Sequence, residues 1–185
     1  MSSQLPSFRQ SLAWPLHSCE ISSTWRDPHA LAQIFVSRKS AQGHVAASLF
    51  LVDLACLGVK NALYKVFTSE GVCHRELMKN VRENQDFIPC SIGLACKVIA
   101  VGLEYAQKLG FKPNKDFPVA SLILGHPDFS FIQDVVPTGG SDGKPMFISG
   151  PNDDPARIKR ILDKSVGEGN YNFMLGGLSM GYDDE

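Results

Sequence analysis

The sequence lacks a long uninterrupted apolar run, and neither sign of charge dominates it. The most apolar stretch, Val45 to Val59, is broken by Ser48, Asp53 and Gly58, whereas a membrane-spanning helix needs about 20 successive apolar residues. Lys and Arg number 18 against 19 Asp and Glu, which gives a formal net charge of −1. We therefore expect no membrane partner, and nucleic acid is expected to bind only through a local basic patch.

Cysteine is scarce and does not follow the spacings of disulfide frameworks or zinc sites. The five cysteines are Cys19, Cys56, Cys73, Cys90 and Cys96. An odd, scattered set without Cys-x₂-Cys pairs predicts reduced thiols in a cytosol-like compartment. Residues 1–20 also lack the apolar core of a signal peptide, because Arg9, Gln10 and two prolines interrupt them. We expect a soluble cytoplasmic protein.

The composition is typical of one globular domain. Its 185 residues are 44% hydrophobic and 20% charged, and a chain of this length is stable without disulfides or metal. The order of strand-like and helix-like segments predicts an α+β fold, with a mixed or antiparallel sheet, an N-terminal hairpin and helices packed on the sheet. We expect an irregular segment over 1–29 packed on a domain of residues 30–175, and a flexible acidic tail over 176–185.

Two local signals are strong. Residues 31–37 and 44–54 are strand-like and flank a short connection that ends in Gly43, which predicts an antiparallel hairpin. An apolar stripe with steps of three or four predicts a helix over 91–109, with Ser91 as its N-cap and Gly110 ending it. The stripe consists of Leu94, Val98, Val101, Tyr105 and Leu109.

The other elements have weaker signals. Residues 61–67 are compatible with a strand or a short helix, and both assignments stay open. The remaining predicted elements are a polar helix over 74–83, a helix that begins at Asp116, strands at 129–136 and 146–149, a helix that begins at Asp153 or Asp154, and a short strand at 171–175.

Asp53 is a prominent carboxylate because it ends the most apolar run of the chain. A buried charge is costly unless it is paired or coordinated. One hypothesis is a divalent-metal site like those of carboxylate-dependent nucleases, with Asp53 and Asp27 as ligands; a divalent metal is the only cofactor that it requires. The candidate catalytic residues are Asp53, Asp27, Glu104 and Asp116, with Asp134 as a further partner. The alternative is structural, in which Asp53 caps a turn or pairs with Lys60 or Arg38.

Two loops have some features of ligand-binding loops. Residues 150–155 (GPNDDP) precede a predicted helix, but two aspartates would repel an anion, so a capped helix start is favoured and a divalent cation is the alternative. Residues 137–145 (PTGGSDGKP) contain Lys144, which Pro145 and a strand follow instead of the helix of a phosphate-binding loop. A hairpin or bulged connection accounts for their glycines.

Thiol catalysis and nucleic-acid binding have weaker support. A thiol enzyme would use Cys56 or Cys73, yet Cys56 lies in an apolar run and Cys73 is adjacent to His74, so those two side chains point apart. Its candidate bases are His29, His44 and His126. Basic residues cluster on two predicted helices, at Arg75, Lys79 and Arg82 and at Arg157, Lys159, Arg160 and Lys164. Acidic neighbours cancel most of the second cluster's field, which favours solvated helix faces.

Several stretches between residues 25 and 171 carry a resemblance to a known family. They are WRDP (25–28), FLVDLACLGVKNA (50–62), EYAQKLGFKP (104–113), GKP (143–145), SGP (149–151) and VGEGNY (166–171). Together they resemble an uncharacterised bacterial domain often found in proteins with a C-terminal SEC-C zinc motif. That motif is missing, since neither Cys nor His follows Tyr171. The family has no established activity, so the resemblance implies a single domain and assigns no catalytic residue.

These observations rank three functional hypotheses. The first is a binding module that acts through a protein partner, because no strong catalytic or cofactor motif is present and the loops are rich in glycine and proline. The second is a metal-dependent hydrolase that acts on phosphodiesters through Asp53. The third is a cysteine-dependent enzyme.

Overall fold

An antiparallel sheet of five strands organises residues 5–175, the part of the chain that the computed structural model describes. The strands are β1 Leu16–Ser22, β2 Ala32–Lys39, β3 Val45–Asp53, β4 Gly58–Phe67 and β5 Phe87–Pro89, in the spatial order β4-β3-β2-β1-β5. The predicted α+β fold is therefore confirmed, with this sheet antiparallel throughout. The predicted acidic tail, residues 176–185, lies outside the described residues.

The predicted N-terminal hairpin is confirmed as β2 and β3, which pair from Ala32 opposite Val52 to Lys39 opposite Val45. Gly43 lies in the connection with a φ of +89°, in the left-handed region that glycine tolerates best. The next strand, β4, decides between the two assignments left open by the sequence. Residues 61–67 continue β4 and pair with β3, so they are strand and not helix.

Helices cover both faces of the sheet, and within residues 5–175 none of them is long and apolar enough to cross a membrane. They are α1 Phe8–Ser11, α2 Glu70–Cys73, a π-helical turn His74–Met78, α3 Lys79–Asn84, α4 Ile92–Lys108, α5 Phe117–Ala120, a 3₁₀ turn Ser121–Leu124 and α6 Pro155–Ser165. As predicted, the Ser91 side chain caps α4 by accepting a hydrogen bond from the Leu94 N–H. Gly110, with a φ of +90°, and Phe111 end α4 in a Schellman motif.

The core has a separate cluster on each face of the main sheet. Ile34 and Phe50 belong to the cluster that α4 and α5 cover. Phe35 belongs to the opposite cluster, which Cys73 of α2 and Met78 of the π-helical turn complete. Burial on both faces explains why β3 is apolar at nearly every position instead of alternating.

A second, parallel sheet joins the first at the turn between β3 and β4. Its strands are β6 Met146–Ile148 and β7 Asn172–Met174, with α6 between them in the chain. The Met146 N–H donates a hydrogen bond to the Ala55 carbonyl of the turn. Cys56 of the turn is buried with Phe147 and Leu162 in a third cluster. The strands predicted at 146–149 and 171–175 and the helix predicted at Asp153 or Asp154 are thus confirmed.

Two predicted segments are wrong because strand pairing depends on distant residues. Residues 1–29 are not irregular throughout: residues 16–22 form β1, an inner strand paired with both β2 and β5. The sequence of β1, LHSCEIS, has few apolar residues, so its stability comes from two neighbours that its own pattern does not reveal. Residues 129–136 alternate like a strand but form a loop, because no strand of the described chain pairs with them.

Candidate functional site

Asp53 ends β3, and its carboxylate caps the turn into β4. Its Oδ1 accepts hydrogen bonds from the backbone N–H groups of Ala55 at 2.9 Å and Cys56 at 3.0 Å. The residue is only 6% exposed. Burial raises the pKa of the Asp53 carboxyl, while the N–H of Leu57 and the charge of Lys60 act in the opposite direction. These contacts are those of the structural alternative, in which a strand-end aspartate caps a turn.

Lys60 connects this turn to the loop that precedes α6. Its Nζ lies 2.8 Å from Oδ2 of Asp153, and the same oxygen accepts a hydrogen bond from the Gly150 N–H at 2.8 Å. The two side chains are only 15% and 12% exposed. Both charges have lost most of their contact with water, and their mutual attraction offsets that loss. Sequence reasoning names Lys60 as a partner for Asp53, but no spacing signal relates it to Asp153, 93 residues away.

A cavity of about 210 Å³ opens beside these groups. Its polar lining includes His29, Asp53, Lys60 and Ser149, and Met146 contributes apolar surface. The volume is below the roughly 300–1,000 Å³ of a pocket for a drug-sized ligand. The cavity can therefore hold a small polar group, with Asp53 and Lys60 as its charged neighbours.

A larger cleft of about 530 Å³ lies where the end of α4, the start of β4 and the start of α6 meet. Lys112 and Arg157 bring positive charge to its lining, while Asp154 brings negative charge. Asp154 accepts a hydrogen bond from the Arg157 N–H at 3.0 Å and so caps α6, as the sequence predicts. Since Asp153 pairs with Lys60, both aspartates of this loop already have partners.

The other predicted carboxylates make separate local contacts. Asp27 accepts a hydrogen bond from the His29 N–H at 2.8 Å, and Glu104 pairs with Lys108 one helical turn away on the solvent side of α4. Asp116 lies at the start of α5, beside β4. Among residues 5–175, no three His, Cys, Asp or Glu side chains are grouped to hold a metal ion. The structure thus adds no support to a metal site at Asp53 and Asp27.

The glycine-rich segment 137–145 forms a tight turn. Gly139 and Gly143 have φ values of +78° and +76°, and the Gly140 N–H donates to the Lys144 carbonyl at 2.7 Å. The Lys144 ammonium donates to the Gly169 carbonyl at 3.2 Å. This lysine therefore fastens the turn to the chain before β7 and does not project over an anion-binding loop.

Three of the thiols are in surroundings typical of structural cysteines. Burial raises the pKa of Cys56, and it raises those of Cys73 and Cys96 to about 11. No hydrogen bond joins them to a histidine within the described range. Sequence reasoning missed the remaining two, Cys19 and Cys90, whose sulfur atoms lie 3.6 Å apart although 71 residues separate them.

The basic helix faces are partly neutralised. Arg82 of α3 contacts Glu20 of β1. Lys159 of α6 contacts Asp163 at 3.0 Å and Glu168 at 3.7 Å. These pairs reduce the local positive field that a nucleic-acid phosphate would meet.

The chain was compared with family models, with curated proteins and with solved structures. None of the three comparisons found a match. The resemblance to the domain found in SEC-C-motif proteins therefore stays a prediction.

Proposed function

We propose that this protein is a binding module that acts through a protein partner in the cytoplasm, and that the partner contacts the loop of residues 126–138. The observation that carries the proposal is the exposure of Phe131 and Val135, at 65% and 80%. No other large hydrophobic side chain within residues 5–175 is exposed to such a degree. Exposed apolar side chains on a loop that is anchored to the core are typical of protein-binding surfaces.

The loop is anchored beneath these two side chains. Phe129 and Val136 pack against the main core. The Lys97 ammonium donates to the Ile132 carbonyl at 2.7 Å, and Ile132 also packs against Gly93 of α4. Because the anchors alternate with the exposed residues, a partner binds a loop that is already ordered, which lowers the entropic cost of association.

The surroundings of the loop indicate the chemistry of the partner. Asp134 pairs with Arg26 next to Val135, so the exposed apolar atoms have a polar rim. A protein with an apolar pocket for an aromatic ring, bordered by hydrogen-bonding groups, is complementary to this surface. A nucleic acid is a poorer match because two basic side chains that contact the loop already have partners: Arg26 pairs with Asp134, and Lys97 donates to the Ile132 carbonyl.

Site-specific photo-crosslinking tests this proposal. With benzoylphenylalanine in place of Phe131, cells that naturally make the protein should yield a discrete adduct with another protein, whereas the same probe at Leu63, an exposed position on β4, should not. Once the partner is identified, Phe131→Ala should weaken binding roughly tenfold to 100-fold, the effect of removing a buried aromatic contact. Equal labelling at both positions, or an adduct only with a second copy of the chain, contradicts the proposal.

The metal-dependent hydrolase is the rival hypothesis, and metal ions separate the two. A divalent ion at 100 times its dissociation constant stabilises a folded site by roughly 2.7 kcal/mol. We expect Mg²⁺ and Mn²⁺ to leave the melting temperature unchanged, because the carboxylates near Asp53 already have partners. A Mn²⁺-dependent rise that Asp53→Asn abolishes would instead favour the hydrolase.

A further inference from the structure

Cys19 and Cys90 form a cross-strand pair at the outer edge of the main sheet. In the pairing of β1 with β5, Glu20 lies opposite Pro89, and the next position places Cys19 opposite Cys90. The Cys90 N–H donates a hydrogen bond to the Cys19 carbonyl at 3.0 Å. The two Sγ atoms are 3.6 Å apart, and both thiols are free.

This geometry fits a disulfide. Hydrogen-bonded pairs of an antiparallel ladder have Cα atoms about 5.5 Å apart, which is within the roughly 4.4–6.8 Å that a disulfide spans. The sulfur atoms have to approach only from 3.6 Å to about 2.05 Å. The backbone hydrogen bond between the two residues already holds them opposite each other.

The two thiols are chemically unequal. Cys19 is buried and 8% exposed, whereas Cys90 is half-buried. A hydrogen bond from the Cys19 thiol stabilises the Cys90 thiolate and lowers the pKa of Cys90, although burial and Glu20 oppose this. The same contact and burial raise the pKa of Cys19. Cys90 is therefore the thiol suited to attack. Cys19 is placed to resolve because its sulfur already lies 3.6 Å from that of Cys90.

We propose that Cys19 and Cys90 are a redox-modification site that a hydroperoxide converts into an intramolecular disulfide. The Cys90 thiolate attacks the peroxide oxygen, which breaks the O–O bond and gives a sulfenic acid at Cys90 together with water or an alcohol. The Cys19 sulfur then attacks the Cys90 sulfur, which forms the S–S bond and breaks the S–O bond of the sulfenic acid. The hydroxyl group leaves with the proton of the Cys19 thiol as water. Two thiols lose two electrons and two protons in total, and the hydroperoxide is reduced by two electrons.

The disulfide would join β1 to Cys90, the residue between the end of β5 and the Ser91 cap of α4. It closes a long loop of chain, which restricts the unfolded state and so stabilises the fold. A dithiol reductant reverses the bond by exchange, as a reducing compartment requires. The proposal is independent of the partner-binding loop, since neither cysteine belongs to residues 126–138.

Peptide mapping of the wild-type protein after treatment with hydrogen peroxide tests the site directly. We expect one crosslinked peptide pair that contains Cys19 and Cys90, and the loss of two of the five free thiols. Dithiothreitol should restore both thiols, and the oxidised protein should melt several degrees higher than the reduced one. Cys90→Ser should abolish the thiol loss, whereas Cys56→Ser should retain it.

Three results would overturn the proposal. In the first, all five thiols remain free after peroxide treatment. In the second, the disulfide involves another cysteine or a second chain, and in the third, Cys90 is oxidised to a sulfinic or sulfonic acid without crosslinking. Because the mapping uses the unaltered protein, it decides the matter even if Cys90→Ser fails to fold.

Discussion

Among single residues, Asp53 couples the stability of the fold to pH. Its folded pKa lies above the ordinary 3.8 because the carboxyl is buried. A raised folded pKa contributes stability that is fully present below the ordinary pKa and is lost as the pH rises through the raised value. Asp53→Asn keeps an acceptor for the turn and removes this titration. We therefore expect the stability of the variant, relative to the wild type, to increase with pH in urea unfolding series.

Asp142→Asn is a control of opposite sign. Hydrogen bonds from the Asn172 side chain and the Lys144 N–H lower the pKa of Asp142, so the wild type keeps that contribution above the ordinary pKa and loses it as the pH falls through the lowered value. Relative to the wild type, this variant should become less stable as the pH rises from the lowered pKa of Asp142 to the ordinary value, an interval below the one in which Asp53 titrates. A stability difference for Asp53→Asn that does not vary with pH would contradict the burial argument.

The Lys60–Asp153 pair is expected to matter far more than a surface pair. Lys60→Met leaves the Asp153 carboxylate largely buried without its counter-ion, and such a loss costs about 3–5 kcal/mol. The double variant Lys60→Met, Asp153→Asn should lose much less than the sum of the single losses, because the orphaned charge is gone. Chemical denaturation gives all three values.

Lys108→Met is the matched control for Lys60→Met, since Lys108 pairs with Glu104 and both side chains are largely exposed. Its effect should be small. If Lys60→Met were as mild as Lys108→Met, the pair at β4 would not hold the loop before α6 in place.

Among the elements, local chemistry predicts some boundaries and not others. Ser91 caps the first turn of α4 and Gly110 ends its last turn, so residues at the two ends of the helix determine where it begins and ends. β1 has no such signal, because the hydrogen bonds that order it come from β2 and β5. Residues 129–136 are the opposite case: their alternating pattern is typical of a strand, but they form a loop because no neighbouring strand of the described chain pairs with them.

The turn between β3 and β4 depends on Gly58 for two reasons. Gly58 has a φ of +67°, and an added Cβ would lie 2.7 Å from Cβ of Ala106 and 2.9 Å from the Gly102 carbonyl oxygen on α4. Gly58→Ala should therefore cost clearly more than the roughly 1–2 kcal/mol of left-handed strain alone. Urea unfolding measures the difference.

Gly43→Ala separates strain from crowding. Gly43 has a φ of +89°, but nothing lies within 4 Å of an added Cβ there, so only the backbone strain remains. Adding Ala106→Gly to Gly58→Ala should recover part of the loss by reopening space on α4. Equal costs for the two alanine variants would show that the contact with α4 is not tight.

For the whole molecule, the candidate site was only half predictable. Asp53 is recognisable from sequence because a carboxylate that ends an apolar strand needs a partner, and Lys60 is near enough in the chain to be considered. Asp153 and the pairing of Cys19 with Cys90 depend on contacts across 93 and 71 residues, which no local spacing encodes. Contacts of this kind, between residues far apart in the chain, can be recognised only when the order of the strands in the sheet is known.

The two sheets are expected to unfold as one unit, because the turn after β3 is built into both. Phe147, fully buried on β6, shares a cluster with Cys56 of that turn. Phe147→Ala should lower the free energy of unfolding by about 3–5 kcal/mol. Trp25 is 2% exposed in the main core, and the other tryptophan, Trp14, packs against the same core. Tryptophan fluorescence should therefore report the same shift in midpoint as far-ultraviolet circular dichroism. Phe131→Ala, at an exposed position, should leave both midpoints unchanged. If Phe147→Ala left the fluorescence midpoint unchanged, the smaller sheet would unfold separately from the main sheet. The Lys60–Asp153 contact would then not couple the unfolding of the two sheets.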